Sequence, residues 1–194
     1  AGTLRQHDTM AHFVETGFPC QNGVMAALLA RAGFTADMNI LEDTNRGVGF
    51  CTAVAGKEGF HIEKVTEGLG KEFRTDLLDT KHFPCHSYQQ RSIEATMDVM
   101  AKNNIENRDI ESVTVEMKPG FVRQLDLPDP IDGEHARVSV QHGIAGAILG
   151  KKVGVDTFTD MAAAASEFKE ARQKVKVVAR PEWEKHGLKN FEIV

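Results

Sequence analysis

The sequence predicts an α+β fold, in which helices with apolar faces pack on a few short strands. Three stretches support this prediction. Residues 21–32 carry apolar side chains at the three- and four-residue spacing of a helix. Residues 111–118 and 174–179 alternate between apolar and polar side chains, which is the period of a half-buried strand. Helical patterns separate these two strands, so the chain mixes both kinds of element.

The composition excludes several classes of protein. Of the 194 residues, 41% are hydrophobic and 26% are charged, which is globular usage rather than that of a collagen or a disordered tail. The 23 basic and 28 acidic residues leave a net charge of -5, with no basic stripe for a phosphate backbone. We therefore expect no nucleic-acid partner. No apolar run approaches the roughly 20 residues that span a bilayer, so we expect no membrane segment.

The cysteines and the two ends of the sequence bear on the setting of the protein. Cys20, Cys51 and Cys85 are odd in number and widely spaced, which predicts a reducing, cytoplasmic setting without disulfides. The first ten residues show no leader features, and residues 191–194 read like the start of a strand. We therefore expect the chain to be a fragment of a longer protein.

The first half of the sequence predicts further elements. The helix over 21–32 ends with Gly33 as its C-cap. Short helices are expected over 36–42 and around 61–68. A strand is expected over 77–83, ended by Pro84.

The second half continues the alternation of helices and strands. Ser87 and Gln90 form an S-x-x-Q capping box for a helix that ends at Asn103 and Asn104. Pro119 and Gly120 end the strand that follows it.

The carboxyl-terminal part predicts a loop and two more helices. Residues 124–133, rich in proline and aspartate, predict an exposed loop suited to a lid. One helix is expected over 134–149 and a smaller one over 159–168. His142 falls on the apolar face of the longer helix, where we expect a hydrogen-bonded core histidine.

The densest polar cluster lies at 81–86, between the predicted strand and the predicted helix. Lys81 and His86 there favour a bound carboxylate, because the amino terminus of a helix attracts negative charge. His86 is also a candidate general acid or base. The alternative is that Lys81 is a solvated strand end and His86 an ordinary first-turn residue. For Cys85, between them, we expect a buried thiol rather than a nucleophile.

A second polar group lies near the amino terminus, at His7, Asp8, His12 and Glu15. His12 and Glu15 have the spacing that shares a helix face. No third ligand follows at a supporting distance and the HExxH order is absent, so no metal site is predicted.

Three stretches together resemble the MmgE/PrpD family. Residues 21–43, QNGVMAALLARAGFTADMNILED, resemble its G-V-x-A-A-x-L-A-x-x-G-F-T-G run and the I-L-E segment that follows. Residues 81–95, KHFPCHSYQQRSIEA, resemble its K-x-[YF]-P-x-C/A-H segment. Residues 136–160, beginning ARVSVQHGIA, are similar to its A-x-x-S-x-x-Y-x-x-A stretch. The three occur in the family's order, which makes their combination specific.

The resemblance implies an architecture and a chemistry. Residues 1–60 would be the C-terminal portion of an all-helical domain, and residues 61–194 a smaller α+β lid domain. The substrate would be a small di- or tricarboxylic acid, the enzyme a homodimer without metal or organic cofactor. Lys81 and His86 match the lid lysine and histidine that face the polycarboxylate, where they would bind or polarise a carboxylate and assist proton transfer.

The sequence departs from the family pattern at one candidate substrate-binding segment. Where the family commonly has K-x-x-H-x-G, this chain has His12, Glu15 and Gly17, so only the glycine is retained. An ionised Glu15 repels a carboxylate. We therefore expect an acid other than methylcitrate, or one whose amine pairs with Glu15.

The resemblance indicates the family more directly than it indicates the reaction. Its members dehydrate 2-methylcitrate, decarboxylate cis-aconitate or epimerise iminodisuccinate, so the fold does not choose among these reactions. We expect a fragment of a lyase of the dehydratase type. The alternatives are an epimerase or decarboxylase of the same family, and a non-enzymatic remnant that binds anions or dimerises.

Overall fold

The structure is a computed structural model that describes residues 6, 8–41, 48–56, 58–73, 75, 78 and 80–185. The chain forms two compact units. The main unit consists of Ala1–Glu15 and Thr80–Val194, and the small unit of Thr16–Asp79. Among the described residues, no helix has both the length and the apolar character needed to cross a bilayer. The expected division near residue 60 stays a prediction.

The small unit contains helices and no strand in its described part. Most of helix α1 (Ala11–Arg31) belongs to this unit, and α2 (Phe50–Ala55) and α3 (Glu63–Thr66) follow. Helix α1 begins ten residues before the predicted start. Gly33 follows it with a φ of 89°, as expected of a helix C-cap.

The predicted helix over 36–42 is wrong for residues 36–41, and residue 42 lies outside the described residues. Residues 36–41 contain no helix, and residues 38–41 form a turn. The Asp37 carboxylate accepts a hydrogen bond from the Asn39 N–H at 2.9 Å, a local bond that competes with a helix.

An all-helical domain is not present in the described part of the small unit. No apolar residue there is buried, and Val24 and Leu28 of α1 are 64% and 45% exposed. A helical domain needs a shared apolar core, and these helices do not form one among themselves.

The main unit contains the strands predicted over 111–118 and 174–179. In chain order its elements are α4 (Gln90–Asn103), β1 (Val113–Met117), α5 (Pro119–Leu125), α6 (Gly133–Val138), α7 (Val140–Ile148), α8 (Asp160–Ala164), α9 (Ser166–Gln173) and β2 (Val175–Ala179). Strands β1 and β2 pair in parallel, from Val113 opposite Val175 to Met117 opposite Ala179. The main unit is therefore an α+β domain, as predicted.

Proline has a second role after β1. Pro119 ends the strand and also occupies the first position of α5, where its missing N–H costs nothing. The exposed loop predicted over 124–133 consequently begins only after Leu125.

The predicted helix over 134–149 is wrong as a single helix, since it is divided at Ser139 into α6 and α7. The Ser139 hydroxyl accepts a hydrogen bond from the His142 N–H at 3.0 Å and donates one to the Leu127 carbonyl at 2.6 Å. A serine that caps a new helix in this way ends the preceding one. The predicted helix over 159–168 is also divided, at the extended residue Ala165, which has no capping side chain.

Helix α7 is the centre of the core. All nine of its residues are buried, and it packs against α4 on one side and α9 on another. Gly143 brings α7 so close to α4 that a Cβ atom there would lie 2.8 Å from the Gln89 Oε1 atom and 2.8 Å from Ile93. The absence of a side chain at Gly143 therefore sets the spacing of the two helices.

His142 is the core histidine that the sequence predicted. Its Nε2 atom lies 2.7 Å from the Thr157 carbonyl, its Nδ1 atom lies 3.0 Å from the Arg172 guanidinium, and its ring stacks on Phe168 at 4.6 Å. Arginine only donates hydrogen bonds, so Nδ1 accepts and Nε2 carries the proton. Burial lowers the pKa of His142 to about 4.

The shifted pKa of His142 makes the stability depend on pH. The unfolded chain binds a proton at His142 below its ordinary pKa of 6.5, whereas the folded chain resists protonation down to about pH 4. The free energy of unfolding should therefore fall on acidification through this window, by on the order of 3 kcal/mol in total from this residue. Urea unfolding at a series of pH values measures it.

Two variants test that assignment. His142→Gln keeps a neutral polar side chain and should flatten the pH dependence between 6.5 and 4. His82→Gln removes a histidine whose side chain is 66% exposed, and should leave the dependence unchanged. An unaltered slope in His142→Gln would contradict the buried neutral histidine.

The close approach at Gly143 gives a second prediction. Gly143→Ala should lower the free energy of unfolding by roughly 1–3 kcal/mol, because Ile93 and Gln89 are buried and have little room to move. Gly120→Ala on α5 is the matched control, since its Cβ atom would meet nothing nearer than 3.6 Å. Chemical denaturation of both variants compares them. Equal stability of the two would show that α4 and α7 adjust freely.

Candidate active site

The segment that precedes α4 forms a loop, which corrects the strand predicted over 77–83. Residues 78 and 80–83 contain no strand, and residues 77 and 79 lie outside the described residues. The Gln90 side chain accepts a hydrogen bond from the Phe83 N–H and donates one to the Phe83 carbonyl, each at 2.9 Å. One side-chain amide thus satisfies the backbone groups that a neighbouring strand would have paired.

The start of the helix also differs from the predicted capping box. The residue that caps the first turn is His86, whose Nδ1 atom accepts a hydrogen bond from the Tyr88 N–H at 3.3 Å. A 3₁₀ turn at Ser87–Gln89 follows and leads into α4. Gln90 reaches back along the chain, as a capping-box glutamine does, but its partner is Phe83 instead of Ser87.

The loop is fastened to the end of α6 by one carbonyl oxygen. The Arg137 carbonyl accepts hydrogen bonds from the His86 N–H at 2.9 Å and from the Gln89 side chain at 2.7 Å. The last carbonyls of a helix have no partner within the helix. The end of α6 therefore provides the acceptor that holds His86 and its neighbours in place.

A cleft of about 370 Å³ lies beside this loop. It is lined by Lys81, Pro84, Cys85, Arg137, Val155 and Phe158. Two of these residues are cationic, none is acidic and three are apolar. Such a lining favours a small anion with an apolar part.

Both cations act on the Cys85 thiol. Cys85 is 3% exposed, and burial raises its pKa to about 12, while the charges of Lys81 and Arg137 partly oppose that rise. The thiol is thus protonated near neutral pH, which confirms the prediction of a buried thiol. It also marks a point in the cleft that the fields of both cations reach.

Arg137 is the site residue that the sequence analysis missed. Its Nη1 atom donates to the Glu134 carboxylate at 2.8 Å, and its guanidinium lies 4.9 Å from the centre of the Phe13 ring. Arg137 lies within the ARVSVQHGIA stretch that carries part of the family resemblance. Its place beside Lys81 depends on a contact between distant parts of the chain, which no local pattern reveals.

His86 lies next to the cleft but is not one of its lining residues. Its ring meets Tyr88 edge-on at 4.9 Å, and Tyr88 stacks on Phe121 at 3.9 Å. Because Nδ1 accepts a backbone hydrogen bond, the neutral ring carries its proton on Nε2. The geometry thus favours a hydrogen-bond donor at the His86 Nε2 atom.

The other predicted site residues all belong to α1. The His12 Nδ1 atom lies 3.5 Å from the Glu15 carboxylate, and Phe13 between them contacts Arg137. Gly17 belongs to the small unit, and no atom lies within 4 Å of the position of a Cβ there. A substrate-binding role for His12, Glu15 and Gly17 stays a prediction.

No group of three or more histidine, cysteine, aspartate or glutamate residues is arranged to hold a metal ion among the residues that the structure describes.

The main unit and its cleft define an α+β domain with a cationic pocket of the size of a small organic acid. A sequence model of the MmgE/PrpD C-terminal domain matches residues 83–193. The chain therefore belongs to the MmgE/PrpD family. None of the curated proteins matches it. The matched range includes His86 and Arg137, and Lys81 lies two residues before it.

The burial of Cys85 predicts its reactivity. Near pH 8, a pKa of about 12 leaves a thiolate fraction about a thousandfold lower than that of a thiol at the ordinary 9.0. Iodoacetamide should therefore modify the exposed Cys20 long before Cys85. Peptide mapping by mass spectrometry measures both rates, with the chain in denaturant as the control. Rapid labelling of native Cys85 would contradict the buried, protonated thiol.

Proposed function

We propose that the chain is part of a lyase that acts on a small di- or tricarboxylic acid by proton abstraction next to a carboxylate, with dehydration as the reaction. One observation carries the proposal. The chain belongs to the MmgE/PrpD family, known for enzymes of the dehydratase and lyase type, and its main unit holds a cleft with Lys81 on its wall.

Lys81 binds the substrate carboxylate next to the reacting carbon. Removal of a proton from that carbon places negative charge on the adjacent carboxylate. The Lys81 ammonium stabilises this charge as it develops, and the apolar residues Val155 and Phe158 strengthen the attraction by keeping water away. A cation that interacts more strongly with the transition state than with the substrate lowers the barrier.

His86 stabilises the leaving group by a hydrogen bond. In a dehydration the carbon–oxygen bond breaks with its electron pair on oxygen, and the hydroxide leaves as water once it has accepted a proton. The Nε2–H of His86 donates a hydrogen bond to the departing oxygen, because Nδ1 is occupied by the Tyr88 N–H. The general base that accepts the proton from carbon passes it to the departing oxygen, so one proton and one hydroxide leave as one water molecule and the base is restored.

The α1 segment contributes to substrate choice in this proposal. His12, Glu15 and Gly17 take part in substrate binding, and Glu15 favours an acid that carries an amine over a third carboxylate. The domain division near residue 60 and a homodimeric state follow from the same family relationship. No organic cofactor or metal enters the proposed reaction.

A second candidate function is an anion-binding remnant without enzymatic activity. It is favoured by the described part of the small unit, where no apolar residue is buried. The two functions differ in turnover: a remnant binds carboxylic acids in the cleft and converts none of them.

Substitution of the two proposed catalytic residues tests the lyase. Lys81→Ala and His86→Ala should each lower turnover by roughly 10²–10⁴-fold without unfolding the protein, and His86→Ala should also lower the melting temperature slightly, because it removes the capping side chain. The assay uses the protein purified from its source, with citrate, 2-methylcitrate, malate and aspartate as substrates. Product formation is followed by the absorbance of the new carbon–carbon double bond.

Lys102→Ala is the control, because Lys102 is a surface lysine whose side chain is 73% exposed and pairs with Asp98. Near wild-type turnover in Lys81→Ala or His86→Ala would overturn the assigned roles. Stabilisation of the wild-type protein by these acids without any turnover would favour the remnant.

A further inference from the structure

We infer that Arg137 binds a second carboxylate of the substrate, so that the cleft selects acids with two or more carboxylates over monocarboxylic acids. This inference rests on the proposed function, and it assigns the selection to a residue that the proposed chemistry does not use.

The lining of the cleft offers two separate cationic groups to a ligand. Lys81 and Arg137 are its only charged lining residues in the described part of the chain, and no lining residue is acidic. Arg137 pairs with Glu134, which is not a lining residue, so inside the cleft both cations face a ligand without a competing carboxylate in the lining. Two carboxylates on one molecule can then each meet one cation.

The Arg137 side chain is held in place before a ligand arrives. Its side chain is only 30% exposed and donates to Glu134, and its guanidinium packs over the Phe13 ring. Arginine side chains lose much conformational freedom when they bind a ligand. These contacts reduce that loss, so more of the interaction with a carboxylate appears as affinity.

The pairing with Glu134 leaves donors for a ligand. A guanidinium has five N–H donors. The contact with Glu134 uses the Nη1 atom alone. The planar group pairs with carboxylates through two parallel hydrogen bonds, which lysine does not reproduce. Glu134 thus orients the arginine, and it is not itself a lining residue of the cleft.

Cys85 and the apolar wall place both carboxylates in one cleft. The fields of Lys81 and Arg137 both reach the Cys85 sulfur, so a ligand above that sulfur lies within the influence of both cations. Pro84, Val155 and Phe158 complete the lining and suit the carbon chain between two carboxylates.

Succinate and butyrate provide a matched pair of ligands, because they share a four-carbon chain and differ by one carboxylate. Isothermal titration calorimetry should show that the wild-type protein binds succinate more tightly than butyrate. Arg137→Gln should lower the affinity for succinate by about tenfold or more and leave the affinity for butyrate nearly unchanged. Lys81→Ala should weaken both acids.

Further variants separate recognition from folding. Arg137→Lys keeps the charge but not the fork, and should give an intermediate preference for succinate. Arg108→Gln is the control, since Arg108 is 79% exposed and pairs with Glu106 away from the cleft lining. The melting temperature without ligand identifies any variant that fails to fold. If Arg137→Gln does not fold, the inference is tested by Arg137→Lys, whose preference for succinate over butyrate should be weaker than that of the wild-type protein.

The outcomes distinguish this inference from the proposed function. If Arg137→Gln retains the full preference for succinate while Lys81→Ala weakens both acids, Arg137 has no selective role and the proposed function stands. If the wild-type protein binds neither acid, both are overturned.

Discussion

The hydroxyl of Ser139 accepts a hydrogen bond from the His142 N–H and donates one to the Leu127 carbonyl, and in doing so it ends α6 and begins α7. The end of α6 leaves the Arg137 carbonyl available to His86 and Gln89. A continuous helix would have used that carbonyl internally. The position of the loop that carries the site therefore depends on a single serine in the core.

The opposite wall of the cleft depends on α7. His142 on α7 donates to the Thr157 carbonyl, and the next residue, Phe158, lines the cleft. The core thus holds one wall through the Arg137 backbone and the other through the His142 ring. Because α7 is buried along its whole length, the core of the main unit holds both walls.

The sequence predicts those features that arise from local periodicity. Strands β1 and β2 were predicted because their side chains alternate, and the core position of His142 because it lies on an apolar helical face. The break at Ser139 was missed because serine also occurs within helices, and its capping bonds to Leu127 are visible only after folding. The apolar spacing over 21–32 does not reveal the earlier start of α1, which the structure continues through Gly17 and Pro19, two residues that disfavour a helix interior.

Prediction of the site was limited in the same way. Lys81 and His86 are the candidates that one polar segment of the sequence provides, and Cys85 between them is the buried thiol expected there. Arg137 joins them through contacts between residues about 50 positions apart in the chain, which a local pattern does not contain.

The pairing of β1 with β2 also joins distant parts of the chain, because opposed residues such as Val113 and Val175 are about 60 positions apart. Strands so distant pay a large entropic cost before they meet, so the helices between them should form early and the sheet late in folding.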